Sequence, residues 1–474
     1  MYWLILLLFV QIVLFGSVIL LENKDPGKTV TWLFILSLLP VLGFLLYVLF
    51  AQRQRNQLFK KKTLISKRLP YNSDQQETLL EQECPMLYQE RSIDPKILKL
   101  LYNSGYAPPS VHNRVVVLVN GGEKFKALLQ ALENASHHIH LSYYIFKDDE
   151  IGADILKILS RKSSEGVEVR VLLDGVGSLS IAGNFMGTMR KMGIQAHWYF
   201  PVRFPFLTPR LNLRYHRKIV IVDGSVGFMG GLNIGDEYLS RNPKLGFWRD
   251  THIKLLGESV HTLQTIFLND WYSVSEQEIK GEIYFPKVDI PDILPIQIGV
   301  GGPDTTRSSI LQGFFVALTM AKKNIKIETP YFIPDESLMM ALKTAALSGI
   351  DVQIIIQGVP EHKVTYWAMN SYLEELLKAG VQIYQYMKGI LHAKILLIDD
   401  NLASVGSANM DVRSFVLDFE ISAFIYDSNI TMILKENFEQ DLKESRSINL
   451  ETFQTRPYYE RLKESLARLF SPLL

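Results

Sequence analysis

Cysteine is nearly absent: Cys84 is the only one in 474 residues. That excludes an intramolecular disulfide and a cysteine-cluster metal site, and it fits a reducing compartment. Net charge is missing too. The chain has 50 Lys and Arg against 49 Asp and Glu, a balance of +1, so no global field recruits nucleic acid. The chain does not read as disordered, because 47% of it is apolar and only 21% charged. Its length suits two or three compact units better than one.

Charged residues are absent from Tyr2 to Leu21, a run about long enough to cross a bilayer core as a helix. It lacks the basic start, short apolar core and small-residue cut site of a signal peptide. It also lacks the polar face of a globular core helix. The polar stretch "ENKDPGK" (Glu22 to Lys28) follows, with Pro26-Gly27 as a helix breaker. Thr31 to Phe50 is a second apolar run. The expectation is a two-helix transmembrane hairpin over 1–52.

Acid is what residues 51–68 lack. Arg53, Arg55, Lys60, Lys61, Lys62, Lys67 and Arg68 stand there without one Asp or Glu. Such an excess marks the cytoplasmic side and can hold anionic headgroups. Two crossings then place both termini, and the body, on the cytoplasmic face of a membrane. Setting aside these seven cations takes the net charge from +1 to −6, which argues against a nuclease.

The body repeats itself. "RVVVLVNGGEKFKALLQAL" reads as strand, Gly turn and amphipathic helix, "HHIHLSYYIF" as a strand, "ADILKILSRKSSEG" as a helix and "VEVRVLLDG" as a strand. The near-continuous apolar character of the last suits a sheet covered on both faces. Later, "SILQGFFVALTMAKK" (helix), "NIKIETPYFIP" (strand), "DESLMMALKTAALSG" (helix) and "IDVQIIIQG" (strand) replay the order. The offset between copies varies, which marks a diverged duplication rather than a solenoid. The expected class is α/β: two similar α/β/α halves over 111–290 and 291–474, joined to the hairpin by a basic linker over 53–110. The seam falls at the "IPDIL" stretch near Ile290 to Leu294.

Each half ends with the same pattern. "YHRKIVIVDG" (Tyr215 to Gly224) and "LHAKILLIDD" (Leu391 to Asp400) both read His-x-Lys-x4-Asp, and equal spacing leads on to "GGLN" and "GSAN". On a strand, His216 and Lys218 share a face, as do His392 and Lys394. Two histidines on opposite sides of one substrate divide the work, one as nucleophile and one as proton donor. Lys218, Lys394, Asn233 and Asn409 suit the non-bridging oxygens of one phosphate. Asp223 and Asp399 either orient imidazoles or pair with the lysines. The lysines supply the charge a metal would bring and would repel one, so no metal is required.

These paired motifs resemble the phospholipase D superfamily and, more narrowly, its bacterial cardiolipin synthases. "DPGKTVTWLFILSLLPVLGFLLYVLF", "YYIFKDDEIG", "VEVRVLLDGVGS", "NLRYHRKIVIVDG", "GGLNIGDEYL", "GFWRDTHIKLLG", "ETPYFIPDESLMMALKTAALSGIDV", "LHAKILLIDD" and "VGSANMDVRSFVLDFEISAFIYD" carry the likeness. It implies transfer of a phosphatidyl group from one phosphatidylglycerol to another through a phosphohistidine, giving cardiolipin and glycerol without a cofactor. It also implies a bacterial cell membrane, with anionic lipids as partners. By that analogy His216 is the nucleophile and His392 the general acid and then base, though the reverse fits the sequence equally. Lys218, Lys394, Asn233 and Asn409 grip the phosphate with Ser407 nearby, and Asp223 and Asp399 complete the motifs. Asp250 in "WRDTH" and Glu420 in "DFEIS" hold matching places. In the superfamily such carboxylates orient the opposite histidine, while Arg249 and Arg413 are their structural alternatives. A tethered hydrolase would share every one of these residues. A non-catalytic scaffold would be expected to have lost some.

Two stretches stay outside the motifs. "PVRFPFLTPRLNLR" (Pro201 to Arg214) suits either a loop dipping into an anionic bilayer or a connection packing its aromatics inward. "ERLKESLARLFSPLL" puts Leu462, Leu466, Leu469 and Phe470 on one helical face, expected to dock on the body rather than lie on lipid. Nothing in the sequence fixes the oligomeric state.

Overall fold

The computed structural model describes residues 94–471 except 106, 180, 182–184, 202–211, 305–307 and 360–361. Within the first 93 residues it describes the helix Pro26–Leu38 and isolated positions beside it. The chain forms two compact units. One comprises Met1–Leu64 with Val202–Leu213, the other Ile65–Pro201 with Arg214–Leu474.

In the first unit, Pro26 and Gly27 open a helix instead of breaking one, as proline's fixed φ permits at a first helical position. Trp32 meets Tyr47 edge to face, with ring centres 5.4 Å apart. The apolar run Tyr2 to Leu21, apart from a few positions, and the basic residues 51–68 lie outside the described residues. So does most of the "PVRFPFLTPRLNLR" loop. Among the described residues no helix is long and apolar enough to cross a membrane.

The second unit holds both halves. The first contributes β1 (Ser110–Val119), β2 (His138–Tyr143), β3 (Glu168–Asp174), β4 (Gln195–Tyr199), β5 (Arg214–Tyr215), β6 (Ile219–Val222), β7 (Val226–Gly230), β8 (Phe247–Arg249) and β9 (Thr251–Gly257). The second contributes β10 (Ile293–Gly301), β11 (Asn324–Thr329), β12 (Phe332–Ile333), β13 (Asp351–Gln357), β14 (Gln382–Tyr386) and β15 (Gly389–Leu391). It continues with β16 (Ile395–Ile398), β17 (Leu402–Gly406), β18 (Met410–Asp411), β19 (Asp418–Ile425) and β20 (Ser445–Ser447).

The duplication is plain in the sheet. One half runs β4-β3-β2-β6-β7-β9-β1 and the other β14-β13-β11-β16-β17-β19-β10. They join where β1 and β10 pair antiparallel, with Ser110 opposite Ile296. The continuous apolar strands sit at the parallel centre of each half, as expected of strands buried on both faces. Matching helices follow the strands, and in each half one begins at an aspartate cap. Asp149 accepts from Gly152 N at 3.2 Å, and Asp335 from Leu338 N at 3.0 Å. Leu172, Ile219 and Ile221 from one half pack in the same core as Ile355, Leu397 and Ile421 from the other. That shared apolar layer fixes the halves against each other.

Three expectations need correction. The 53–110 linker does not run free to its end, because Pro95–Gly105 is a helix with Ile97, Leu98 and Leu101 buried in the second half's core. Gln297 locks it there, donating to the carbonyls of Leu98 and Ala107 at 3.0 and 2.9 Å. The His-x-Lys segments are not strands but short irregular links, between β5 and β6 and between β15 and β16. The C-terminal helix Tyr458–Arg468 touches the body, but with Glu464 and Ala467 buried and its leucines outward.

Candidate active site

Each histidine is delivered by a two- or three-residue strand that pairs with the other half. β5 lies parallel to the start of β19, and His216 N donates to Phe419 O at 2.9 Å. Asp174, at the end of β3, accepts from Tyr215 N at 2.8 Å and fixes the entry. In the mirror arrangement β15 lies parallel to β8, and His392 N donates to Arg249 O at 2.7 Å. These pairings lay His216 beside Glu420, the next residue along β19, and His392 beside Asp250, the residue that follows β8. His216 Nδ1 meets Glu420 Oε1 at 2.8 Å, and His392 Nδ1 meets Asp250 Oδ2 at 2.7 Å. Both carboxylates are fully buried, while both imidazoles keep slight exposure. With Nδ1–H donated to a carboxylate, each Nε2 is left to do chemistry.

The alternative partners are otherwise engaged. Arg413 pairs with Asp418 at 3.2 Å, and Arg249 pairs with Asp441 at 2.5 Å while donating to the main-chain oxygen of Asp250. The main-chain oxygen of Glu420 is likewise held by Arg217 at 3.2 Å, and Arg217 is anchored on Asp270 at 2.6 Å.

The four motif cations and imidazoles form one group. Burial lowers the His216 imidazole well below its ordinary pKa, and the charges of Lys218, Lys394 and His392 push the same way. Burial raises Glu420 well above the carboxylate range, and Lys218 opposes that shift. The Lys218 charge therefore favours a neutral imidazole on a carboxylate. Lys218 and Lys394 each donate to the carbonyl of the histidine two residues before it.

Burial, with Lys394 adding to it and Glu420 opposing it, pulls Lys218 down to about 7. A phosphodiester anion beside Lys218 would favour its charged form, so above about pH 7 binding should be coupled to proton uptake. Binding glycerophosphoglycerol at pH 8 should take up about one proton, and at pH 6, where Lys218 is already charged, almost none. Calorimetry in buffers of different ionisation enthalpy reads this directly. Equal heats in all buffers at pH 8 refute it.

Other expected residues divide. Asn233 spends its side chain within the fold, accepting from Ile145 N at 3.2 Å and donating to the Tyr238 hydroxyl at 3.1 Å. Asn409 keeps a buried Oδ1 with no partner among the described residues. Ser407 is not aimed at a phosphate, because its hydroxyl donates to Glu420 Oε2 and so steadies that carboxylate. Its counterpart is Gly231, where an added Cβ would fall 2.2 Å from Asp250 Oδ1. Asp250 thus takes the room that a side chain would need.

Asp223 and Asp399 lie outside the chemistry. Each sits past the far end of its motif strand at positive φ, 52° and 53°. Asp223 accepts the amides of Ser136, His137 and His138 at 2.7 to 2.9 Å, together with the Ser136 hydroxyl. Asp399 accepts those of Lys322, Lys323 and Asn324 at 2.7 to 3.1 Å. They tie the turn after the motif strand to the start of the neighbouring strand. The motif places its histidine and lysine at one end and a fold-closing aspartate at the other.

Two aromatics went unnoticed in the sequence. Tyr144 stands edge-on to His216 with ring centres 4.9 Å apart, and Trp248 lies 5.2 Å from His392. The only available signal was their place, at the end of the "HHIHLSYYIF" strand and two residues before Asp250. Among the described residues no three His, Cys, Asp or Glu are grouped to hold a metal ion.

A family model described as "Cardiolipin synthase, PLD-like domain" matches residues 128–271 and 315–442, once in each half. The chain belongs to the cardiolipin synthase family. A second model, "Phospholipase D-nuclease N-terminal", matches residues 6–52. Cardiolipin synthase 2 of Bacillus cereus is 44% identical, over 97% of this chain and 90% of its own. The major cardiolipin synthase ClsA of Bacillus subtilis is 42% identical, over 99% and 98%. A cardiolipin synthase of a Geobacillus species is also 42% identical, over 99% and 93%. Among solved structures, phosphatidylserine synthase of Haemophilus influenzae superposes with a TM-score of 0.62 at 18% identity, covering 80% of this chain and all of that one. That likeness extends the fold beyond the cardiolipin synthases themselves.

Proposed function

We propose that the protein makes cardiolipin by transferring a phosphatidyl group between two molecules of phosphatidylglycerol. The observation that carries this reading is the crossed pair of histidine–carboxylate contacts, His216–Glu420 and His392–Asp250, with the charges of Lys218 and Lys394 close enough to act on His216. Nε2 of His216 attacks phosphorus, and the bond from phosphorus to the glycerol oxygen breaks. His392 gives its Nε2 proton to that oxygen, and glycerol leaves. The hydroxyl of a second phosphatidylglycerol then loses its proton to His392 and attacks, breaking the phosphorus–nitrogen bond and closing cardiolipin. Lys218, Lys394 and Asn409 stabilise the charge on the five-coordinate phosphorus. Burial and the neighbouring cations keep His216 uncharged, which suits it to the nucleophile's role.

Residues 1–52 form the membrane hairpin in this reading, with the body on the cytoplasmic side beside the basic stretch 51–68. Transfer exchanges one phosphodiester for another, so mass action sets its direction and no nucleotide drives it.

Purified protein given phosphatidylglycerol alone should yield cardiolipin and glycerol, undiminished by exhaustive chelation because the lysines supply the positive charge. Added glycerol should drive the reaction back. Phosphatidic acid as the dominant product at every lipid density identifies a hydrolase and refutes the transfer reading.

A further inference from the structure

The helix Tyr458–Arg468 is docked by the side opposite to its apolar one. Glu464 and Ala467 face the body, each 4% exposed. Tyr458, Tyr459, Leu462, Leu466, Leu469 and Phe470 are 47 to 78% exposed. At about 100° per residue these six fall within an arc of about 120°. The helix is nevertheless firmly placed. Arg456 pairs with Glu464 at 2.7 Å, the Arg468 guanidinium lies 4.3 Å from the Tyr372 ring centre, and the Tyr372 hydroxyl donates to Ser471 at 2.9 Å. An apolar stripe this long, held outward by polar and cation–aromatic contacts, marks an interaction surface.

Charge names the partner. Arg461, Lys463 and Arg468 border the stripe, with Lys463 also reaching Glu460 at 2.9 Å and Arg468 reaching Glu375 at 3.6 Å. Residues 456–470 carry four cations against two carboxylates. One of those carboxylates, Glu464, is turned inward onto Arg456. A cationic border around leucines and aromatics is the pattern of a helix lying in the interface of an anionic bilayer. A protein partner would be expected to offer matching acidic groups, whereas a surface of phosphatidylglycerol offers them everywhere.

We infer that the outward face of this helix beds into the headgroup–acyl boundary of an anionic phospholipid bilayer, giving the body a membrane contact separate from residues 1–52. The inference rests on the proposed function for the kind of lipid, phosphatidylglycerol being anionic. Such a contact orients the body as well as tethering it, because a helix bedded in the interface restricts rotation about a tether.

The test uses the full chain in vesicles, with Cys84→Ser as background and a spin label on Leu466→Cys. A second label on Lys244→Cys, an exposed body position, serves as reference. In vesicles containing phosphatidylglycerol, collisions of the Leu466→Cys label with oxygen should exceed those with a water-soluble nickel chelate several-fold, and the Lys244→Cys label should show the reverse. Immersion should weaken in vesicles of phosphatidylcholine alone. A Leu466→Cys label as nickel-accessible as the reference overturns the inference. Spin–spin broadening between labels on two chains overturns it in favour of a second copy, and immersion independent of lipid charge overturns the anionic-lipid assignment. No turnover enters the measurement. A hydrolase product profile therefore leaves this contact standing, and a water-exposed label leaves cardiolipin synthesis standing.

Discussion

His216→Ala and His392→Ala should each lose about 10⁴-fold or more in kcat, and an activated substrate should separate their roles. On the proposed mechanism His216→Ala lacks the nitrogen that takes the phosphatidyl group, so no covalent species should form with any leaving group. Without His392 the nucleophile survives, but glycerol must leave as an alkoxide. A phosphatidyl ester of p-nitrophenol removes that difficulty. His392→Ala should release about one equivalent of p-nitrophenol in a burst and hold the phosphatidyl group on His216, while His216→Ala should show no burst. Stopped-flow absorbance and mass spectrometry of a His216 peptide decide it. A burst from His216→Ala with none from His392→Ala would reverse the assignment.

The carboxylates behind the histidines should matter nearly as much, although both are fully buried. Glu420→Gln places an amide where His216 Nδ1 donates at 2.8 Å. The amide can instead donate to Nδ1, which moves the ring proton to Nε2 and blocks attack. Asp250→Asn does the same to His392 at 2.7 Å. Each should cut kcat by about 10²–10⁴-fold with KM little changed, because binding of the lipid is untouched. Melting temperatures separate this from a folding defect, since the amides keep the shape of the buried groups. A variant that retains more than about a tenth of wild-type kcat would show that its carboxylate does not set the tautomer.

How much of this was legible in the sequence depended on what each signal encodes. The histidines and lysines stood out because the chain states them twice, and "IVIV" and "ILLI" had to be buried strands. Spacing could not say which way the motif aspartates look. Five peptide units run from Lys218 to Asp223, and the hydrogen-bond partners of that aspartate come from residues 136–138. Ser407 sat in a motif read as phosphate-binding, but its neighbour Glu420 on β19 is visible only once β17 and β19 pair. The C-terminal helix shows a similar limit. Periodicity reveals an apolar stripe, but which face meets the body was decided by Arg456, Tyr372 and Ser471, none of them on the stripe. Pro95–Gly105 read as linker because its leucines lacked a visible partner until the second half folded beneath them.

The crossed delivery of the histidines makes the two halves obligate partners in inheritance as well as in catalysis. Positions 216 and 420, 204 residues apart, should behave as a single functional locus, and so should 250 and 392, 142 residues apart. A genetic exchange that replaced one half with a distant relative's would change both loci at once, bringing in one histidine and the other histidine's carboxylate together. The halves are therefore free to drift in their loops and helices but bound to change in step along β5, β8, β15 and the start of β19. A single half, on this plan, has an imidazole without its base and a base without its imidazole, and can act only by meeting a second copy of itself.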